Sequence, residues 1–194
     1  MMGLKEFGLE VAYSVSDNPN RKLPYTLEMV QIGKTWIGVN TQWPNRIFHQ
    51  AFTNQQLDGF KAYSECKPEI KISKETRLDF LLSSENEQRY VEIKNVTLKR
   101  GDCAEFPDAV TERGRRHAIA LQKLVESGKR AGILFVCQRP DAHGFRPMWD
   151  RDPKFGKALQ NAFLAGVKVW CITVNITLEE ITFLREIPVN LHSN

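Results

Sequence analysis

No apolar stretch in this 194-residue chain approaches the roughly eighteen residues a membrane-spanning helix needs. The opening MMGLKEFGLE has no basic segment followed by an apolar core, so it does not read as a secretory signal. Cysteine is sparse: Cys66, Cys103, Cys137 and Cys171 are widely spaced, with no C-x-x-C pair and no Cys/His cluster. That spacing argues against structural zinc and for free thiols in a reducing cytoplasm. Repeats and low-complexity tracts are absent as well, which excludes solenoids and disordered arrays. With 42% hydrophobic and 26% charged residues, what remains is the composition of an ordinary folded domain, or of one domain plus a small module.

The net charge is only +4, but it is unevenly placed. Residues 94–157 carry 14 Lys and Arg against 8 Asp and Glu, while the segments on either side are each close to neutral. A local positive excess of this kind is the electrostatic footprint expected of a polyanion partner, although a solvated mixed-charge surface gives the same count.

Residues 9–15 and 35–39 have the apolar content of short strands, separated by the turn cluster Ser16-Asp-Asn-Pro-Asn20 and by Gly33. A helix is expected over residues 44–57, starting at Pro44 and ending near Asn54 and Gly59. Residues 63–72 read as a strand interrupted by Pro68, hence an edge strand or two pieces. Residues 101–107 and 139–152 read as loops. Between them Asp108 is placed to cap a helix running to Ser127 and Gly128. The continuous apolar run 131–137 has the character of a strand covered on both faces. A further helix over 153–165, a strand over 166–174 and a small strand pair in 177–191 complete the order.

The hairpin Arg77–Thr97, RLDFLL-SSENEQ-RYVEIKNVT, carries the chemistry. Folding it about the centre of its polar hexapeptide sets Asp79 opposite Glu92, and Arg77 opposite Lys94. Side chains alternate faces along a strand, so Glu92 and Lys94 share one face and Val91 and Ile93 take the other. Opposed carboxylates destabilise a sheet unless a positive charge compensates them. Mg²⁺, or Mn²⁺, is a suitable counter-ion, and Lys94 would hold a nucleophilic water or stabilise a phosphate beside it.

The spacing D-x12-E-x-K on a hairpin resembles the signature of the PD-(D/E)XK nuclease superfamily. The element order, an α-β-β-β-α-β core with acids on its second and third strands, resembles the restriction-endonuclease-like fold. More specifically, the chain resembles the sugar fermentation stimulation protein family. The matching stretches are SDNPNRKLPYTLEMV, GVNTQWPNRI, RLDFLL, VEIKNVTL, FPDAVTERGRRH and ILFVCQRPDA. The resemblance implies a mixed α/β architecture, with an OB-like β-barrel over residues 1–39 and a nuclease-like domain over 40–194. It also implies DNA binding, with RNA as a further substrate class and a link to the regulation of sugar (maltose) metabolism. Relatives carry further strands before the Met-x-Gly-Leu seen here at Met1–Leu4, so the barrel is expected to be incomplete.

In this reading Asp79, Glu92 and the Ile93 carbonyl are the expected metal ligands, with Lys94 completing the catalytic set. Many nucleases of the superfamily add a carboxylate from the preceding helix. Here that helix offers Asn45, His49 and Gln50, but no acid before Asp58. Asp108, Glu112 and His117 follow the hairpin and stand as possible partners behind the ligands. Asp108 also reads as a helix cap, and His117 as a hydrogen-bonded core residue of the apolar stripe. Arg21, Lys22, Lys99, Arg100, Arg113, Arg115 and Arg116 are the candidate phosphate contacts. Trp43 and Trp149 can stack on bases or pack partly into the core. Two functions stay open: a Mg²⁺-dependent nuclease, and a sequence-tolerant DNA-binding regulator that keeps the nuclease fold without turnover.

Overall fold

The computed structural model describes residues 3–73 and 76–193. Its centre is a six-stranded mixed sheet in the order β12-β11-β9-β6-β5-β4. Three of these strands run parallel in the middle: β6 (Gln88–Val96), β9 (Arg130–Cys137) and β11 (Lys168–Ile176). Antiparallel strands close both sides. β4 (Glu65–Lys71) and β5 (Arg77–Ser83) meander into β6, and β12 (Ile181–Ile187) returns along β11.

Helices cover both faces. The helix α1 (Trp43–Thr53) packs Ile47, Phe48 and Ala51 with Phe80, Leu82, Val91, Ile93, Leu134 and Val136. On the other face α2 (Glu112–Glu126) and α3 (Pro153–Leu164) bring Leu121, Phe155 and Leu159 against Ile133, Phe135 and Cys137. Alternate residues of β9 therefore enter opposite cores, which is why its sequence is apolar without a break. Burial along β5 instead alternates strictly from Leu78 to Ser83, the period-2 signature of a strand with one face in the core.

The hairpin register is the one its loop length dictates. Phe80 pairs with Val91, Leu81 with Tyr90, Leu82 with Arg89 and Ser83 with Gln88. The ladder stops at Phe80, so Arg77 does not face Lys94: it pairs with Lys71 on β4, and its guanidinium meets Glu69 at 3.0 Å. Pro68 is accommodated because β4 is the sheet edge, where its missing N–H faces no strand. Glu69 beside it takes φ 56° and drops out of the register.

The first residues form a separate antiparallel sheet, β1 (Val11–Val15), β2 (Tyr25–Ile32) and β3 (Thr35–Gly38), and among the described residues it does not close into a barrel. β2 is absent from the sequence expectation because Glu28 interrupts its apolar pattern. Glu28 is sequestered by hydrogen bonds from Ser14, Asn40 and the Trp43 indole. A third small sheet, β10-β8-β7, joins β7 (Leu98–Arg100), β8 (Cys103–Phe106) and β10 (Gly144–Pro147). Residues 101–107 and 139–152, expected as loops, thus contribute two of these strands. Strands of three or four residues are too short to show a period, and the β8–β10 pairing is made across the whole of α2 and β9. The turn between β7 and β8 rests on Gly101 at φ 59°. The tail adds one edge strand, β12, and a single bridge from Phe145 to Val189, in place of a strand pair. No helix among the described residues is long and apolar enough to cross a membrane.

Candidate metal centre

The register places Asp79 at the first position past the last β5–β6 pair, facing the backbone of β6. Its Oδ2 accepts the Ile93 N–H at 2.7 Å. Its Oδ1 accepts from Asn45 Nδ2 at 3.2 Å, so α1 reaches the site through an amide. Glu92 lies beside it on β6, only 3% exposed. Glu92 Oε1 receives both the Lys94 ammonium and His117 Nδ1, each at 2.5 Å. Glu92 Oε2 is sealed from solvent and has no hydrogen-bond partner.

These contacts give Asn45 and His117 defined partners. Asn45 holds one metal-ligand candidate, Asp79. His117, buried on α2, holds the other, Glu92. Burial pushes the Asp79 carboxyl above the ordinary carboxylate range, and the neighbouring Glu92 charge adds to this. Burial acts against ionised Glu92 too. There the His117 hydrogen bond and the Lys94 charge outweigh it and hold the carboxyl below its ordinary value. Two carboxylates on adjacent strands are thus shifted in opposite directions, a separation typical of sites that use charge.

Other candidates fall elsewhere. Asp108 does not cap α2. The cap is Thr111, whose Oγ1 accepts the Gly114 N–H at 3.0 Å, and Asp108 lines a groove with Asn95, Thr97 and Glu105. Glu112 is exposed and paired with Arg115 at 2.5 Å. Among the cations, Lys99 meets Asp141 at 3.2 Å, and Arg100 meets Asp150 at 3.2 Å and Glu105 at 3.4 Å. With Arg115, these make three positive charges already offset by carboxylates. Arg21 donates to Thr26, and Lys22 is exposed in the same β1–β2 loop. Arg113 is exposed one turn before His117, and Arg116 borders a shallow pocket with Ile119 and Leu124. Trp43 is engaged by Glu28 and lies under Arg46.

Asp152 is absent from the sequence expectations. Buried at the start of α3, it accepts the Phe155 N–H on Oδ1 at 2.9 Å and the Thr111 N–H on Oδ2 at 2.8 Å. One carboxylate thus starts both helices of the face that carries His117. Its Asp-Pro sequence signals the first role, but only the packed fold brings Thr111 to it.

Among the described residues no three His, Cys, Asp or Glu side chains form a ligand cage. Two carboxylates supplemented by a backbone carbonyl and waters suit Mg²⁺ or Ca²⁺, which take oxygen ligands and keep water, better than zinc. At this site the unpartnered Glu92 Oε2 is the atom that such a cation would satisfy.

Comparison with known proteins agrees with this architecture. The family model described as "Sugar fermentation stimulation protein RE domain" matches residues 42–180, and that described as "SfsA N-terminal OB domain" matches residues 1–39. A curated sugar fermentation stimulation protein homolog from Bdellovibrio bacteriovorus is 41% identical, over 90% of this chain and 76% of that protein. The homolog from Syntrophobacter fumaroxidans is also 41% identical, over 99% of this chain and 73% of its own length. The solved structure of Pyrococcus furiosus SfsA in complex with Ca²⁺ superposes with a TM-score of 0.87 at 28% identity, covering 93% of this chain and 77% of that one.

Proposed function

The chain belongs to the sugar fermentation stimulation protein family, and on that premise we propose that it is a divalent-metal-dependent phosphodiesterase acting on DNA. RNA is the further substrate class. In this reading residues 1–39 are an OB-like module and residues 40–194 the catalytic domain. The single observation that carries the proposal is the convergence of Asp79, Glu92 and Lys94 on one patch, with Glu92 Oε2 buried and unpartnered. A buried carboxylate oxygen without a donor is costly, and a cation removes that cost. That the Pyrococcus furiosus relative was solved in complex with Ca²⁺ supports divalent-cation binding by this chain.

Asp79, Glu92 and the Ile93 carbonyl would hold Mg²⁺ or Mn²⁺. When bound, the ion supplies Lewis-acid polarisation of a phosphate and a bound water of lowered pKa. The protein's own groups do the rest. Asn45 and the Ile93 N–H fix Asp79, while His117 fixes Glu92. Lys94, only 12% exposed, keeps its ammonium beside Glu92, where it can stabilise charge developing on a phosphate. Arg113 and Arg116, on the exposed side of α2, are available to the flanking backbone phosphates.

One observation favours a second reading, a DNA-binding regulator of sugar metabolism without turnover. The helix preceding the hairpin supplies Asn45 in place of an acid, which leaves the site one ligand poorer. The deciding experiment is a Mg²⁺ and Mn²⁺ titration of the protein on end-labelled single- and double-stranded DNA and RNA. Cleavage is expected in the wild type, lost in Asp79→Ala and reduced by about a hundredfold or more in Lys94→Ala. Binding without cleavage under either ion selects the regulator. Cleavage undiminished in both variants sinks the assignment of the hairpin.

A further inference from the structure

On the face of the sheet that carries His117, the turn leaving β4 and one side of α2 enclose a groove of about 390 Å³. Its floor is aliphatic: Ile72 comes from the turn, and Ile119 and Leu124 come from α2. Ile72 and Leu124 rest on the buried core beneath, so the floor is formed before anything binds. The turn is tied as well. Thr76 O accepts the Ile72 and Ser73 N–H groups at 3.0 and 3.2 Å, and Ser73 Oγ accepts the Thr76 N–H at 3.1 Å. Two exposed cations, Arg116 and Lys123, stand on the rim. Neither forms an ion pair with a described carboxylate, in contrast to Lys99, Arg100 and Arg115. No described residue of the lining is acidic.

The positions on α2 make a track of these charges. Arg113, Arg116 and Lys123 recur at helical spacing on one side of the helix. They stand about 4.5 and 10.5 Å apart along its axis. Both walls of the groove continue elements that carry the metal centre. Arg116 is adjacent in sequence to His117, which holds Glu92. Thr76 immediately precedes β5 and lies about 10 Å of strand before Asp79. The chemistry of the lining selects the occupant. A free inorganic anion would use the two cations and leave the aliphatic floor in water. An acyl chain or apolar peptide would cover the floor and partly desolvate two unpaired charges, at a cost. A nucleotide uses both: its base covers the floor, and the phosphates on either side of it meet the cations. Every base has an apolar face, and the floor carries no aromatic ring, so the contact is burial without selective stacking. A base inside a duplex has its faces covered by its neighbours and does not reach the floor. The volume is in the range that holds one small ligand.

We infer that this groove is a subsite for one unpaired nucleotide of the strand held at the metal centre, with its base on Ile72, Ile119 and Leu124 and its flanking phosphates on Arg116 and Lys123. The inference rests on the nucleic-acid reading above and deepens it: the substrate is single-stranded, or frayed, on this side of the reacting phosphate.

The test uses the full chain in chelator, so that no metal-dependent step enters. The probe is a fluorescein-labelled oligothymidylate of about twelve nucleotides, followed by anisotropy. Saturable binding is expected, tighter than to a duplex of the same length. Arg116→Gln and Lys123→Gln should each weaken it by about 3- to 10-fold and each flatten the slope of log K against log salt by about 0.7. Ile72→Ala and Ile119→Ala should each weaken it by about 3-fold with the slope unchanged, because they remove buried apolar surface and no charge. An abasic strand of the same length should bind more weakly and should be insensitive to both floor variants. Thermal melts check that the four variants are folded, and the abasic strand reads the floor contact in the wild type itself. The inference is overturned by the absence of saturable binding, or by a duplex bound as tightly as the single strand. It is overturned equally if the floor variants and the abasic strand bind normally, since the cations then hold backbone with no base in the groove. None of these readouts involves cleavage. If the binding pattern holds and neither Mg²⁺ nor Mn²⁺ gives cleavage, the nuclease reading fails and the subsite stands. If cleavage occurs and the floor variants keep wild-type affinity, the subsite alone fails.

Discussion

Replacing Lys94 with Met tests the electrostatics of the centre without any assumption about its reaction. Glu92 is a buried carboxylate with one oxygen already partnerless, and its other oxygen relies on Lys94 and His117. Removing the ammonium leaves that charge with one partner. Breaking a buried pair from one side costs about 3–5 kcal/mol, and a chain of this size loses roughly 2–4 °C of Tm per kcal/mol. We therefore expect Lys94→Met to melt about 10 °C lower at pH 7 in chelator. Glu92→Gln should cost a similar amount, because Lys94 is then the stranded charge. The double variant removes both charges together, so its loss should fall well short of the sum of the two singles. The pH dependence follows from the direction of the Glu92 shift. Its folded pKa is depressed, so its contribution is present above the ordinary carboxylate pKa and is lost as pH falls through the folded value. In Lys94→Met the Glu92 pKa rises. The deficit should then shrink toward acid pH, beginning at a higher pH than the wild type's own acid transition. Urea denaturation at a series of pH values measures this. If each single variant lies within about 0.5 kcal/mol of wild type, or if the double equals the sum, the pair is not the buried couple described here.

Further outcomes are expected elsewhere. Asp152→Ala removes the cap of α3 and the acceptor of the Thr111 N–H. One cap plus one charge-assisted hydrogen bond is worth about 2–4 kcal/mol, read by denaturant titration, and a loss below about 0.5 kcal/mol contradicts the double role. Ca²⁺ or Mg²⁺ should raise the Tm of the wild type and leave that of Asp79→Ala unmoved, because the ion binds only the folded site. That stabilisation should also fade on acidification earlier than for an ordinary aspartate pair. Asp79 is raised above its usual value, takes up a proton at higher pH, and must release it to bind a cation. A Tm shift that stays constant down to about pH 4 would count against Asp79 as a ligand.

Much of this was written in the chain order. The polar hexapeptide at the hairpin tip fixed the register, because pairing must count back equally from the loop centre, and so Asp79 and Glu92 were legible as neighbours before any fold was known. The unbroken apolar run of β9 announced a strand covered on both faces, and Pro68 left an edge strand or two pieces, of which the fold has the edge strand. Local rules suffice for such features, since each depends on residues a few positions apart. What tertiary structure decided lies at longer range. Whether His117 is a core residue or a support of Glu92 depends on how α2 sits over β6, 25 residues away in sequence. Whether Lys99, Arg100 and Arg115 are free for phosphate depends on which carboxylates the fold delivers to them, and each receives at least one. The cap of α2 moved from Asp108 to Thr111 because Asp152, far along the chain, holds the Thr111 N–H. Charge and hydrogen-bonding capacity belong to the sequence. Their partners belong to the packing, which alone brings distant segments within the 3 Å where these forces act.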